Sequence, residues 1–303
     1  MSQGRTLEHV AVVSDDQAAA VAGVVPQIEA AIARGEPVLI SGDESLREAF
    51  AATLGSLRSQ ATFVDAGSRY SRPVDAIATV ARLLQDGDGR PLHSIGKIPV
   101  SGGVVDPTWL WYEAAFTDVM AGQPVVATCL YDRGSLTDAS VDAVASVHPH
   151  TMYDGGAPTA AGFGALPPPS GPSLHAPDRP PNASVADVRR PAAARDLVAS
   201  MPVPDDVRER AELVVSELVT NAIRHGGGSA ALDAWADGDA LVLRVRDFGP
   251  GVTDPFAALR PPRLLAEGGA GLWICSMESD RIAIDADGVG TAVTAEIRPR
   301  RPA

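Results

Sequence analysis

The chain has 303 residues, 45% of them apolar, and a formal net charge of −13. That length exceeds the usual ~100–200 residues of one domain and predicts two packed cores. The acidic field excludes non-specific attraction to nucleic acid or anionic lipid, so partners are expected to be proteins or small molecules.

In chain order, the opening stretch Met1 to Val10 is polar, and no uncharged apolar run approaches the ~18 residues of a membrane span. Cys129 and Cys275 are the only cysteines. They fall in different candidate domains, which argues against a disulfide framework and for a reducing, cytoplasmic setting. Lys97 is the single lysine among abundant alanine, glycine, proline and arginine, a coding bias with little functional content. Through residues 1–156, β-branched runs at His9 to Val13, Pro37 to Ile40, Ala61 to Val64 and Pro124 to Leu130 alternate with helical patterns. The helices are predicted over Gln17 to Ala33, Ser45 to Leu57, Val74 to Leu84 and Thr108 to Met120. Such alternation predicts a doubly wound α/β sheet. Residues 157–183, rich in proline from Pro158 to Pro181, read as a semi-rigid extended linker. Residues 184–303 change order: two helical patterns, strands at Ala230 to Ala236 and Ala240 to Arg246, a glycine-rich stretch, then strands at Arg281 to Ala286 and Thr291 to Ile297. Asp237-Gly238 and Asp287-Gly288 are hairpin-turn chemistry.

The helix predicted over Asp205 to His225 carries Val207, Ala211, Val214, Leu218 and Ala222 on one stripe, with Glu217 and Asn221 beside it. Residues four apart share a helix face, so this carboxylate and carboxamide can converge on one ligand, although such a pair also suits a solvated helix surface. The strand at Leu241 to Arg246 runs into Asp247-Phe248-Gly249-Pro250-Gly251. An acidic group at a strand end can accept from an exocyclic amine while glycines let a flat ring approach the main chain; taken alone, the same pattern suits an ordinary turn. Gly268-Gly269-Ala270-Gly271-Leu272-Trp273-Ile274 then opens an apolar helix whose first N–H groups attract phosphate, and Gly290-Thr291 opens the last strand with a hydroxyl.

In this order, SELVTNAIRHG, DFGPG, GGAGLWI and GT resemble the N, G1, G2 and G3 boxes of the GHKL ATPases. The resemblance implies a Bergerat-type α/β sandwich, with ATP and Mg²⁺ held between a mixed sheet and a lid over Thr253 to Gly268. Carried over by position, Asn221 holds Mg²⁺ on the phosphates and Asp247 meets the adenine amine. Gly249, Gly251, Gly269 and Gly271 line the pocket with Leu272, and Thr291 supports the adenine end. A histidine kinase needs a phosphoacceptor histidine shortly before the N box, and none stands between His175 and His225. The short lid with Pro255, Pro261 and Pro262 is similar to that of the RsbW-type serine kinases, which act as bacterial anti-sigma factors. In that branch the glutamate one turn before the asparagine is the general base, the position of Glu217. Arg224 is expected at the surface or on phosphate, and His225 to pack or cap the helix end.

In the first half, Val38-Leu-Ile-Ser-Gly42-Asp43 stands where a P-loop would sit but lacks the second glycine and the Lys-Ser/Thr, so no ATP hydrolysis is expected there and Asp43 reads as an N-cap. His9-Val-Ala-Val-Val, the RGEPVLISGD segment, CLYD and VHPH together resemble the MEDS (DcmR-like) sensory domain. That resemblance implies a RecA-like fold with a degenerate P-loop and a small, often apolar signal molecule. His9, Cys129, His148 and His150 also invite a metal, though buried or capping roles fit them too. Trp109, Trp111, Tyr112 and Phe116 on one helix read as core or as the wall of an apolar pocket.

Together these readings describe a cytoplasmic anti-sigma regulator that binds ATP–Mg²⁺, controls a sigma factor and phosphorylates Ser/Thr of an anti-sigma-factor antagonist. The alternatives are a non-catalytic, nucleotide-dependent sequestering protein and a sensor histidine kinase. Homodimerisation follows from the family resemblance.

Overall fold

Buried β-branched runs alternating with capped helices build a parallel sheet in the first part of the chain. The computed structural model describes residues 6–167, 169–262, 269–286 and 289–300, and the chain divides into two units, Met1–Ser170 and Gly171–Ala303. The first unit runs β1 (Glu8–Ser14), α1 (Gln17–Ala33), β2 (Val38–Gly42), α2 (Glu44–Leu54), β3 (Ala61–Asp65), α3 (Ala66–Arg69), α4 (Pro73–Asp86) and β4 (Leu92–Lys97). A small hairpin, β5 (Val100–Ser101) and β6 (Val104–Val105), precedes α5 (Pro107–Val119), β7 (Val125–Asp132), α6 (Asp138–Val147) and β8 (His150–Tyr153). Five helix starts are set by side chains that accept a backbone N–H: Asp16 from Ala18, Asp43 from Leu46, Asp65 from Ser68, Asp106 from Thr108 and Thr137 from Ser140.

The main strands lie in the order β3-β2-β4-β7-β1-β8, every neighbour parallel. The chain moves from β1 outward to β3, returns through β4 and β7, and passes over β1 to β8, so helices cover both faces. The faces differ chemically. On one, Val12, Ile40, Ile95 and Leu130 pack against Val21, Val24, Ile28, Leu46 and Phe50 in an aliphatic core. Because side chains alternate along a strand, the other face presents His9, Ser41, Ser94 and Cys129, all buried. The central strand β4 is not foreseen by the sequence reading, because Ser94 and Gly96 interrupt its apolar pattern on that polar face.

The second unit comprises β9 (Ala183–Val188), α7 (Pro191–Ala199), α8 (Asp205–His225), β10 (Ala230–Asp237), β11 (Ala240–Arg246), α9 (Ala270–Glu278), β12 (Arg281–Ala286) and β13 (Thr291–Ile297). Its sheet, ordered β12-β13-β11-β10-β9, is antiparallel between all neighbours, where the family resemblance implies a mixed one. The apolar stripe of α8 lies against Leu232, Leu241, Leu243, Val293 and Ala295 from the sheet. Gly238, at φ +60°, turns β10 into β11, whereas Asp287-Gly288 lies outside the described residues.

The division between units falls inside the proline-rich segment. Before it, Thr159 bridges Thr151 and Gly164 N–H donates to the Ser146 carbonyl. After it, Leu174 is buried, and Trp235 Nε1 donates to the Arg179 carbonyl at 2.9 Å. No described helix is long and apolar enough to cross a membrane.

Candidate functional site

In the second unit, α8 is a straight support for two polar side chains. Glu217 and Asn221 sit one turn apart, both half-buried, beside the stripe that faces the sheet. The second residue of α9 is Gly271, and a Cβ there would lie 2.9 Å from both Asn221 Nδ2 and Glu217 Oε2. Only glycine lets α9 begin this close to that pair. Gly269, at φ +88°, turns the chain into α9, whose first-turn N–H groups have no intrahelical acceptors and favour negative charge. Arg210 secures the far end: it donates to the Glu278 and Arg298 carbonyls and to Asp280 Oδ2 at 2.7–3.1 Å.

Across from the helix, Asp247 closes β11. Its N–H donates to the Thr291 carbonyl at 2.9 Å, and its Oδ1 accepts from the N–H groups of Thr291 and Gly249, each at 3.0 Å. Both side-chain bonds fall on Oδ1, which leaves Oδ2 as an acceptor with no partner among the described residues. Thr291 Oγ1 accepts from Val252 N–H at 3.1 Å. Two glycines permit the close crossing: a Cβ on Gly290 would stand 2.2 Å from the Asp247 carbonyl oxygen, and one on Gly249 2.5 Å from that of His225.

Between these walls lies a cavity of about 440 Å³, within the range of small-molecule sites. Asn221, Asp247, Gly251, Gly269, Leu272 and Thr291 line it, over a floor that includes Leu218, Ala222 and Val293. Glu217, Gly249 and Gly271 stand outside that lining: the glycines shape the walls, and Glu217 faces the start of α9. The residue types fit a nucleotide: an unpartnered carboxylate oxygen for an amine, apolar ring-sized walls, and an open helix start for phosphate. The sequence reading missed Val252 and the ion pair of Asp254 with Arg260 at 2.5 Å, which also line the cavity. Their signal, an Asp and an Arg six apart in a proline-broken loop, has no helical or strand period. His225, read as a packing or capping residue, is exposed and lines the cavity; Arg224 is exposed. Of the expected lid, residues 263–268, including Gly268, lie outside the described residues.

In the first unit, His9, Cys129 and His148 are brought together, joined by Glu113 of α5, which the sequence reading overlooked. His150 begins β8 and is exposed, apart from them. Trp111, Tyr112 and Phe116 are buried, and Trp109 and Tyr112 meet Tyr70 edge-on.

A helix-backed antiparallel sheet with this cavity offers a site of small-molecule size. Residues 181–297 match the family described as histidine kinase-like ATPase domain, and residues 8–149 match the MEDS family, the methanogen/methylotroph, DcmR sensory domain. The chain thus carries a sensory domain followed by a histidine kinase-like ATPase domain. No curated protein matches it. Among solved structures, the Acinetobacter baumannii histidine kinase AdeS is similar at 23% identity over 30% of this chain and 46% of that one, with a TM-score of 0.24. The chain therefore spans less than half the length of that structure.

Proposed function

We propose that the protein is a signal-responsive anti-sigma regulator of the RsbW type, acting in the cytoplasm. In this reading its second unit binds ATP and Mg²⁺, contacts a sigma factor, and phosphorylates a serine or threonine of an antagonist protein. A small-molecule signal acts at the MEDS domain. The observation that carries the proposal is the convergence of Glu217 and Asn221 on the first turn of α9, beside a cavity where Asp247 keeps one carboxylate oxygen without a partner among the described residues. Asn221 would hold Mg²⁺, Asp247 Oδ2 would accept from the adenine amine, and Thr291 would support that end; the chemistry such an ion would supply is neutralisation of phosphate charge. The partner hydroxyl oxygen bonds to the γ-phosphorus, ADP leaves with the electron pair of the broken P–O bond, and the hydroxyl proton passes to Glu217. A serine or threonine acceptor is preferred because no histidine stands between His175 and His225.

The test is Mg²⁺-dependent ATP binding by the full chain, followed by phosphate transfer to candidate partners. Asn221→Ala is expected to abolish saturable binding, Asp247→Asn to weaken it about 10–100-fold, and Glu217→Gln to retain binding while slowing transfer by about 10²–10⁴-fold. Partner control that survives Glu217→Gln undiminished identifies a sequestering protein instead. Acid-labile phosphate on a histidine identifies a histidine kinase.

A further inference from the structure

We infer that the first unit is a metal protein: His9, Glu113, Cys129 and His148 form a four-donor site for a divalent transition ion of the zinc class. The inference concerns the other unit and stands independently of the proposed function.

The four residues come from β1, α5, β7 and the residue after α6, and the sheet register assembles them. Cys129 lies level with Ala11 on one neighbouring strand and Gly96 on the other, so small residues flank the thiol on both sides. His9 is two residues before Ala11 on the same face. All four are buried, His9 and Glu113 to 1% exposure and His148 to 0%. Glu113 Oε2 lies 3.0 Å from His9 Nε2, 3.4 Å from His148 Nε2 and 3.5 Å from Cys129 Sγ. His9 Nε2 is 3.4 Å from Cys129 Sγ, and the donor atoms all lie within 4.8 Å of one another. Zinc bonds of ~2.0–2.1 Å to nitrogen and ~2.3 Å to sulfur give tetrahedral edges of about 3.3–3.6 Å. Contraction around an ion therefore requires only small side-chain shifts.

Hydrogen bonding outside the cluster orients the imidazoles for this task. His148 Nδ1 lies 2.8 Å from the Val144 carbonyl, which can only accept, so Nδ1 carries the proton and the Nε2 lone pair points inward. Among the described residues that Nε2 has no hydrogen-bond partner, and neither has Glu113 Oε1. His9 Nδ1 is 2.8 Å from Thr117 Oγ1, whose own hydroxyl is within 3.3 Å of the Glu113 and Val147 carbonyls. Donation from Nδ1 to Thr117 turns the His9 Nε2 lone pair to the same centre. An imidazole held by an outer hydrogen bond, with its second nitrogen on a shared centre, is the usual arrangement of metal-ligating histidine. Left without a cation, these converging lone pairs and a buried carboxylate are costly, because each has given up water without gaining a partner. A divalent ion displaces the Cys129 thiol proton, and thiolate plus carboxylate then balance its two charges. The thiolate and two imidazoles select zinc, cobalt or copper over magnesium or calcium.

The experiment is cobalt(II) titration of the full chain after chelator treatment, followed by zinc competition and metal analysis of the untreated protein. One equivalent of cobalt is expected, with thiolate-to-cobalt charge transfer, four-coordinate d–d bands, and displacement by zinc. Cys129→Ser removes the charge-transfer band, His148→Gln weakens binding, and the exposed control His150→Gln does neither. Thr117→Val keeps all four donors and is expected to weaken binding about 10–100-fold. It also decides the matter if a donor variant fails to fold. Folded wild-type protein that binds no cobalt or zinc, or binding unchanged in Cys129→Ser or Thr117→Val, overturns the assignment.

Discussion

Substituting Gly271 by alanine separates structural from functional glycines in the nucleotide unit. The new Cβ would come within 2.9 Å of Asn221 Nδ2 and Glu217 Oε2 and within 3.3 Å of Asn221 Oδ1. All three are the ends of half-buried, flexible side chains, so the conflict resolves by rotating them away, at about 0.5–1.5 kcal/mol for an off-rotamer angle. Alanine in a helix gains back up to about 1 kcal/mol over glycine. The two contributions nearly cancel, and urea unfolding of the second unit should move by no more than about 1 kcal/mol. If the second unit acts as proposed, phosphate transfer should nevertheless fall by about 10²-fold or more, because Glu217 and Asn221, the base and the Mg²⁺-holding carboxamide of that proposal, would both be displaced. Gly290→Ala provides the contrast: its Cβ would stand 2.2 Å from the Asp247 carbonyl oxygen, and backbone cannot rotate aside. A loss of about 1–3 kcal/mol or more is expected there. The reasoning is refuted if Gly271→Ala transfers phosphate at the wild-type rate, or unfolds as readily as Gly290→Ala.

Asp247→Asn should keep the fold, since the amide oxygen can still accept from the Gly249 and Thr291 N–H groups. It places a donor where Oδ2 stood, which should weaken ATP about 10–100-fold by isothermal titration, whereas Asp247→Ala should also lower stability. Acid sensitivity of the first unit is expected to pass through Glu36. Its carboxyl is held at about 2, against an ordinary 4.5, mainly by the Arg34 hydrogen bond and then, despite some burial, by His93. As pH falls the unfolded chain takes up that proton first, so this contribution is complete above 4.5 and lost as pH approaches 2. Arg34 is 42% exposed, which limits the effect to about 1 kcal/mol. Glu36→Gln should cost that much in urea unfolding near neutral pH, with the gap to wild type closing in acid; a gap independent of pH contradicts the assignment.

The nucleotide unit is legible in sequence because its elements are local. The predicted helix over Asp205 to His225 coincides with α8, and Ala240 to Arg246, Arg281 to Ala286 and Thr291 to Ile297 coincide with strands. The first strand of that sheet, β9, passes unnoticed because four successive residues of it are exposed and its pairing slips at a bulge opposite Ala230 and Leu232. Within the cavity, boxes reveal which residues gather but not their division of labour. That Gly251 and Gly269 line the space while Gly249 and Gly271 shape its walls depends on crossings between distant segments. In the first unit, four histidines and cysteines stand out by residue type, yet parity alone cannot tell His148 from His150. Glu113 is camouflaged among Trp111, Tyr112 and Phe116 on a helix that otherwise reads as core.

The asymmetry of the parallel sheet explains why these residues belong to function more than to folding. The face under α1 and α2 is aliphatic and supplies hydrophobic stabilisation without polar cost. On the opposite face Arg69 is 3% exposed, and among the described residues its guanidinium donates to the hydroxyls of Ser41 at 2.8 Å and Ser94 at 2.9 Å, with Tyr70 beneath it at 5.1 Å. A buried cation held by neutral hydroxyls and a buried carboxylate held by imidazoles are both dearer than aliphatic packing. A sheet stabilised from one side can carry such groups on the other, and strand parity keeps them separate from the core that holds the fold. Replacing Leu130 or Ile95 by alanine should therefore destabilise the first unit by about 2–5 kcal/mol, while Ser94→Ala, on the polar face beside Ile95, should show its main effect in whatever that face binds.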